Sequence, residues 1–205
     1  MKFLLTYFTV FASLASAWGQ QALFNGKDFS GWNGDIPEVW TIQNGLITGG
    51  SLEKTVDKNY FLATEKIYSD FVLKLKIRLR GEEGFINSGI QFRSVRSKDP
   101  ANEMIGYQAD FGKEYWGTLY DESRRNKTLA GNDPKTTEEI VKLSGWNDYE
   151  LRAEGKRIRI FINGQLCTDY TETDDSIPQT GHIAIQVHGG GKALVEVKDI
   201  YIEEL

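Results

Sequence analysis

Phe71-Val72-Leu73-Lys74-Leu75-Lys76-Ile77-Arg78-Leu79-Arg80 decides the fold class. Phe71, Leu73, Leu75, Ile77 and Leu79 occupy every second position, and Lys74, Lys76, Arg78 and Arg80 fill the places between. A strand turns successive side chains to opposite faces, whereas a helix would need apolar residues three and four apart. The stretch reads as a strand with one face in a core and one in water. The same beat recurs outward along the chain. Tyr149, Leu151 and Ala153 alternate with Glu150, Arg152 and Glu154. Ile158, Ile160 and Ile162 follow and run into Asn163-Gly164, a dipeptide that suits a tight hairpin because both residues tolerate positive φ. Residues 166–170 make the return strand. Ile183, Ile185 and Val187 mark another strand, and Val195, Val197, Ile200 and Ile202 a last one whose pattern slips near Asp199. Helical spacing is confined to residues 136–143, enough for a short turn. The 21 glycines supply frequent turns. The expectation is an all-β, two-sheet antiparallel β-sandwich of jelly-roll type with at most one or two short helical turns.

The chain has 205 residues, 40% hydrophobic and 26% charged, which is ordinary for a folded domain. Met1-Lys2 is followed by a short apolar run and by Ala15-Ser16-Ala17, the small-x-small pattern of a secretory signal peptide. Residues 1–17 are therefore read as the signal and 18–205 as one domain, exported to a periplasm or secreted and not inserted in a membrane after cleavage. The one cysteine, Cys167, excludes an intramolecular disulfide, so the core must supply the stability. A net charge of −5 without a basic cluster argues against nucleic acid as a partner.

Most strands carry Lys, Arg and Glu on their polar face. Three differ. In Asn87-Ser88-Gly89-Ile90-Gln91-Phe92-Arg93, strict alternation sets Asn87, Gln91 and Arg93 opposite Ile90 and Phe92. In Gly106-Tyr107-Gln108-Ala109-Asp110-Phe111, Gln108 and Asp110 share a face. Gln186 and His188 lie opposite Ile185 and Val187. If these strands share a sheet, their polar sides form one patch. Amides with a few ionisable groups donate and accept in fixed directions, as the hydroxyls of a pyranose require. Tyr120 and Glu122 share one side of a further extended segment, Arg124 follows, and Trp116 or Tyr115 could stack on a sugar face.

Taken in order, several short motifs carry a resemblance. They are Leu23-Phe24-Asn25-Gly26-Lys27-Asp28 with Gly31-Trp32, Asn87-Ser88-Gly89-Ile90-Gln91-Phe92-Arg93, Gly106-Tyr107-Gln108-Ala109-Asp110, Gly117-Thr118-Leu119-Tyr120-Asp121-Glu122, Trp146-Asn147-Asp148-Tyr149 and Gly181-His182-Ile183-Ala184-Ile185-Gln186-Val187-His188. The chain resembles the 3-keto-disaccharide hydrolase domain family over nearly its whole length after the signal. That resemblance implies a concanavalin A-like jelly roll with a concave sugar-binding sheet. It also implies hydrolysis of glycosides, including disaccharides, whose sugar is oxidised to a ketone at carbon 3. A sugar 3-dehydrogenase would then be a functional companion.

A 3-keto group acidifies the proton on carbon 2. A base removes it, an enolate forms, the group on carbon 1 leaves, and water adds back. His188 is the candidate base, Glu122 or Asp110 the candidate acid, and Arg93 with Gln91 the candidates beside the ketone. Asn87, Gln108, Tyr120, Arg124, Gln186 and Trp116 are candidate substrate contacts. The E-x-D-x-x-E pattern of ordinary glucanases on this fold is missing from the sequence, which disfavours two-carboxylate glycosidase chemistry. A divalent metal is left open: His188, Asp110 and Glu122 could together hold one, and so could a carboxylate-rich loop in the case of calcium. The alternative to an enzyme is a non-catalytic carbohydrate-binding module using the same face.

Overall fold

A computed structural model of the chain describes residues 19–205. The expected signal peptide, residues 1–17, lies outside them. In chain order the strands are β1 (Gln21–Ala22), β2 (Trp32–Asn33), β3 (Trp40–Gln43), β4 (Leu46–Gly50), β5 (Tyr60–Thr64), β6 (Phe71–Arg80), β7 (Asn87–Arg96), β8 (Met104–Gly112), β9 (Leu119–Glu122), β10 (Lys127–Ala130), β11 (Asn147–Glu154), β12 (Arg157–Ile162), β13 (Gln165–Thr171), β14 (His182–Val187) and β15 (Leu194–Glu204). One helix, α1 (Pro134–Ile140), sits between β10 and β11. The Asp133 side chain caps it by accepting from the Lys135 N–H at 2.9 Å, and Pro134 suits the first turn, where no amide partner is needed.

The strands form two antiparallel sheets. One runs β13-β12-β11-β6-β15-β4-β3, with β1 also paired to β15. The other runs β10-β9-β8-β7-β14-β5-β2. The sandwich expected from the alternation is what forms. Phe71, Leu73, Leu75, Ile77 and Leu79 of β6 are all buried, and so are Tyr149, Leu151 and Ala153 of β11. Across the sandwich, Ile90 and Phe92 of β7, Tyr107, Ala109 and Phe111 of β8, and Ile183, Ile185 and Val187 of β14 meet them in one cluster. Each of the larger aliphatic and aromatic side chains among them contributes about 1.5–3 kcal/mol by leaving water.

The outer faces of the two sheets are chemically unlike. The first is a field of ion pairs, some exposed, such as Lys76 with Asp148, and some gathered on the buried carboxylate of Glu196, which pairs with Arg78 and Arg80. The second carries Gln91, Gln108, Asp110 and Gln186, all buried, beside an apolar knot of Phe61, Ala63, Met104 and Ala184. Something covers that face, and part of the cover is the segment between β7 and β8. Asn102 of that segment donates to the Asn59 carbonyl at 3.0 Å, and Asn59 donates to the Glu103 carboxylate at 3.2 Å.

Strict alternation fails in one place that matters. Between Gln91 and Ser94 the pairing with β14 slips by one residue, and the pairing of β7 with β8 slips at the same point. Arg93 takes φ 46°, in the left-handed region. A bulge of this kind inserts one extra residue and changes the face to which the side chains point. Gly181 and Gly106 accommodate it. A Cβ at Gly181 would stand 2.3 Å from the Ser94 nitrogen, and one at Gly106 would stand 2.2 Å from Ser94 Oγ.

Candidate active site

The middle of the seven-stranded sheet brings β8, β7 and β14 side by side, so Asp110, Gly89 and Gln186 lie on one row. Gly89 has no side chain there, and a Cβ would sit 3.0 Å from Gln108 Cγ. Gln108 therefore lies across β7. Its Nε2 donates to Asp110 Oδ1 at 2.8 Å and to Gln186 Oε1 at 3.1 Å. The Asp110 backbone is pinned three times. Its N–H donates to the Thr118 carbonyl, and its own carbonyl accepts from the Gly117 N–H and from Tyr149 Oη, each at 2.9–3.0 Å. The tyrosine bond fastens the site to the opposite sheet.

A hollow of about 200 Å³ opens above this row, lined by Phe85, Asn87, Gln108, Asp110, Tyr115, Tyr120, Glu122 and His188. Seven of these are residues the sequence singled out as one patch or as its flank. Gln91 and Gln186 share the face but lie beneath, fully buried. Gln91 Nε2 donates to the Gly106 carbonyl at 3.4 Å. Three amide atoms of this floor, Gln91 Oε1, Gln108 Oε1 and Gln186 Nε2, find no hydrogen-bond partner among the described residues.

Three expected site residues point elsewhere. The bulge swings Arg93 to the far side of the sheet, where its side chain is fully buried. It donates to the carbonyls of Ser69 (2.8 Å) and Gly155 (2.7 Å), to Gln179 Oε1 and to Asp70 Oδ1 (2.7 Å). Arg93 is thus a structural clamp and has no place beside a ketone. Arg124 leaves the face because the chain turns at Ser123, which has φ 54°. Its guanidinium pairs with buried Asp121 and lies 4.5 Å over the Tyr107 ring, on the core side of β8. Trp116 turns into the core and meets Phe111 edge-to-face at 4.8 Å. Its neighbour Tyr115 takes the place at the hollow.

Phe85 was missed. Its ring stands edge-to-face to His188 at 4.6 Å and to Tyr115 at 6.2 Å. It comes from the turn between β6 and β7, where the Phe85 N–H donates to the Gly190 carbonyl. Only pairing with the distant Gly189-Gly190-Gly191 run brings it to the site, and no local pattern announces that.

The electrostatics give the hollow its chemistry. His188 Nδ1 lies 2.6 Å from the Gly189 carbonyl. A carbonyl only accepts, so Nδ1 carries the proton and Nε2 keeps a free lone pair. Burial raises Asp110 to about 8, and the nearby Glu122 charge adds to the rise against the Gln108 hydrogen bond. Burial likewise raises Glu122 to about 7, with a further push from the charge of Glu103. At neutral pH the site thus offers a protonated Asp110 and a half-protonated Glu122, beside an imidazole whose neutral form keeps its lone pair on Nε2. His188, Asp110 and Glu122 line one hollow without closing into a metal-ligating group. Among the described residues no three His, Cys, Asp or Glu side chains gather in that way.

The sequence profile of the 3-keto-alpha-glucoside-1,2-lyase-like domain matches residues 19–203. The chain belongs to that family. No curated protein matches it by sequence. Among solved structures, a candidate glycosyl hydrolase from Parabacteroides distasonis shares the fold at TM-score 0.67 and 20% identity, covering 91% of this chain and 100% of that one. The carbohydrate binding module CBM66 from Bacillus subtilis does so at TM-score 0.62 and 21% identity, over 85% and 96% of the two chains. A β-glucanase from Bacillus licheniformis does so at TM-score 0.56 and 12% identity, over 90% and 96%. These likenesses establish the jelly-roll architecture that the family member adopts.

Proposed function

We propose that this protein cleaves 3-keto-glycosides by elimination across carbons 1 and 2, followed by addition of water. The observation that carries the reading is the pairing of a histidine whose Nε2 is a free acceptor with two carboxyl groups held protonatable near neutral pH, in a hollow of sugar-ring size. His188 Nε2 takes the proton from carbon 2. The electron pair moves into the C2–C3 bond and the ketone oxygen becomes an enolate. Neutral Asp110, held in place by the Gln108 amide that donates to its Oδ1, donates a hydrogen bond to that oxygen, because burial keeps the acid protonated for the purpose. Glu122 gives its proton to the glycosidic oxygen as the C1–O bond breaks and the C1–C2 double bond forms. Water then adds, its hydroxyl to carbon 1 and its proton to carbon 2, and the free 3-keto sugar departs. His188 and Glu122 are restored over the two steps.

The hollow is smaller than the ~300–1,000 Å³ usual for ligand pockets, so it admits the oxidised ring and leaves the rest of the substrate outside. Phe85 and Tyr115 offer aromatic faces at its edge. The substrate must come from an oxidoreductase that converts the carbon-3 hydroxyl to a ketone. Export, read from residues 1–17, places the reaction outside the cytoplasm.

Incubation with a 3-keto-disaccharide, with and without chelator, tests the reading. The expected result is release of the free monosaccharides, and His188→Ala should lower turnover about 10²–10⁴-fold. Wild-type turnover retained in the folded His188→Ala protein would remove this mechanism. The shared fold with a carbohydrate binding module supports one other outcome, saturable sugar binding without any product. That outcome would give the raised carboxyls no task.

A further inference from the structure

Behind His188 lies a chain of contacts that reaches the cover of the sheet. The Gly189 carbonyl that fixes the His188 tautomer belongs to a residue whose own N–H donates to Asn59 Oδ1 at 3.1 Å. Asn59 Nδ2 donates to both oxygens of Glu103, at 3.2 and 3.4 Å. The Asn59 amide cannot be turned around: one end faces an N–H, which only donates, and the other a carboxylate, which only accepts. Asn102 Nδ2 braces the pair, donating to the Asn59 carbonyl at 3.0 Å and to Glu103 Oε1 at 3.3 Å. Gly189 is required for this approach, because a Cβ there would stand 2.6 Å from Lys58 Cα. Neither Asn59 nor Glu103 lines the hollow.

We propose that Asn59 and Glu103 are positioning residues: Glu103 orients the Asn59 amide, Asn59 holds the Gly189 N–H and so places the Gly189 Cα, and the carbonyl on the other side of that Cα keeps the proton of neutral His188 on Nδ1. The inference rests on His188 acting as the base. It explains why a half-buried carboxylate–amide pair, with no salt-bridge partner among the described residues, sits at the site's edge. Without Asn59 the Gly189 N–H loses its acceptor, and Gly189 is held from one side only, where the Gly190 N–H donates to the Val56 carbonyl at 2.7 Å. The Gly189 carbonyl can then shift relative to the ring, its bond to the Nδ1 proton weakens, and the Nε2–H tautomer, which cannot accept a proton, becomes populated.

Nitrogen-15 NMR of the two histidines reads the tautomer directly and needs no substrate, so a failure here is distinct from a failure of the catalytic reading. Wild-type His188 should show the Nδ1–H form. Asn59→Ala should give a mixture and lower kcat about tenfold or more with little change in KM, since a small misplacement of a catalytic group has effects of that size. Asn59→Asp should do the same by setting two carboxylates against each other. The double variant N59D/E103Q exchanges acid and amide, restores a donor–acceptor pair, and should recover both the tautomer and most of kcat. The double variant also guards against a mere folding defect in the single ones. A pure Nδ1–H signal with wild-type kcat in Asn59→Ala, or a double variant no better than Asn59→Asp, would overturn the proposal.

Discussion

Two carboxyl groups 12 positions apart in sequence are asked to do different work, and the reason is their depth. Asp110 is raised to about 8 chiefly because it is fully buried, so it remains a hydrogen-bond donor through neutral pH. Glu122 is raised to about 7 at the edge of the hollow, which suits a group that must give its proton away. Both are needed in the acid form, so kcat should fall as pH rises through about 7–8. Glu122→Gln should lower kcat about 10²-fold on a disaccharide and far less on a 3-keto-glycoside with nitrophenolate as leaving group, which departs without protonation. Equal losses on the two substrates would take the acid role from Glu122. Asp110→Asn retains a donor and should keep kcat within about tenfold, whereas Asp110→Ala should lose about 10²–10³-fold, the usual cost of one oxyanion donor. Period-2 spacing puts Gln108 with Asp110, Gln186 with His188 and Tyr120 with Glu122 on shared faces, and joins them in one patch only on the condition that their strands share a sheet. It could not show their depth, which depends on the cover that Asn102, Glu103 and Asn59 provide from elsewhere in the chain.

At the level of elements, β7 shows what an alternation pattern can and cannot carry. Asn87, Gly89 and Gln91 obey it and face the site, and then one extra residue at Arg93 changes the face. Nothing in Gln91-Phe92-Arg93-Ser94 marks the bulge. Its cause is the set of acceptors waiting across the sandwich: Ser69, Asp70, Gly155 and Gln179. A guanidinium with four kinds of partner is best satisfied there, and burial without them would cost several kcal/mol. By contrast β12 and β13 form the hairpin that Asn163-Gly164 signals, with φ 50° and 80° at the two turn residues. Local chemistry sets that hairpin, so the sequence reveals it. Arg93→Ala should therefore destabilise by about 3–5 kcal/mol while leaving kcat of the folded fraction unchanged. The milder Asp70→Asn should cost about 1–2 kcal/mol with the same lack of effect on kcat. A specific loss of kcat at unchanged melting temperature in either variant would place Arg93 in the chemistry after all.

Over the whole molecule the same carboxyl groups set the pH range of stability. Among the described residues the single cysteine, Cys167, is buried and free, so cohesion comes from the shared core of the two sheets. Ionisable groups then tilt the balance from both sides. Glu172 is held at about 2: burial opposes this, but Arg125 and the Tyr107 hydroxyl outweigh it. Its folded value lies below its unfolded one, so its contribution is present above about pH 4.5 and fades as pH falls towards 2. Asp110 and Glu122 act in the opposite sense. Their folded values lie above their unfolded ones, so their contribution is complete below about pH 4 and is lost as pH rises through about 7–8. The melting temperature should therefore be highest near pH 4.5, decline on the acid side as Glu172 protonates, and decline progressively on the alkaline side up to about pH 8. Asp110→Asn removes the largest alkaline penalty. It should leave the acid side alone and raise the melting temperature at pH 9 by about 5 °C, as about 2 kcal/mol does for a chain of this length. Scanning calorimetry of the two proteins at pH 3, 5.5 and 9 measures this, and an equal shift at all three pH values would mean that the Asp110 carboxyl does not titrate with folding. A catalytic acid kept neutral by burial and a fold that weakens in alkali are one physical fact seen at two scales.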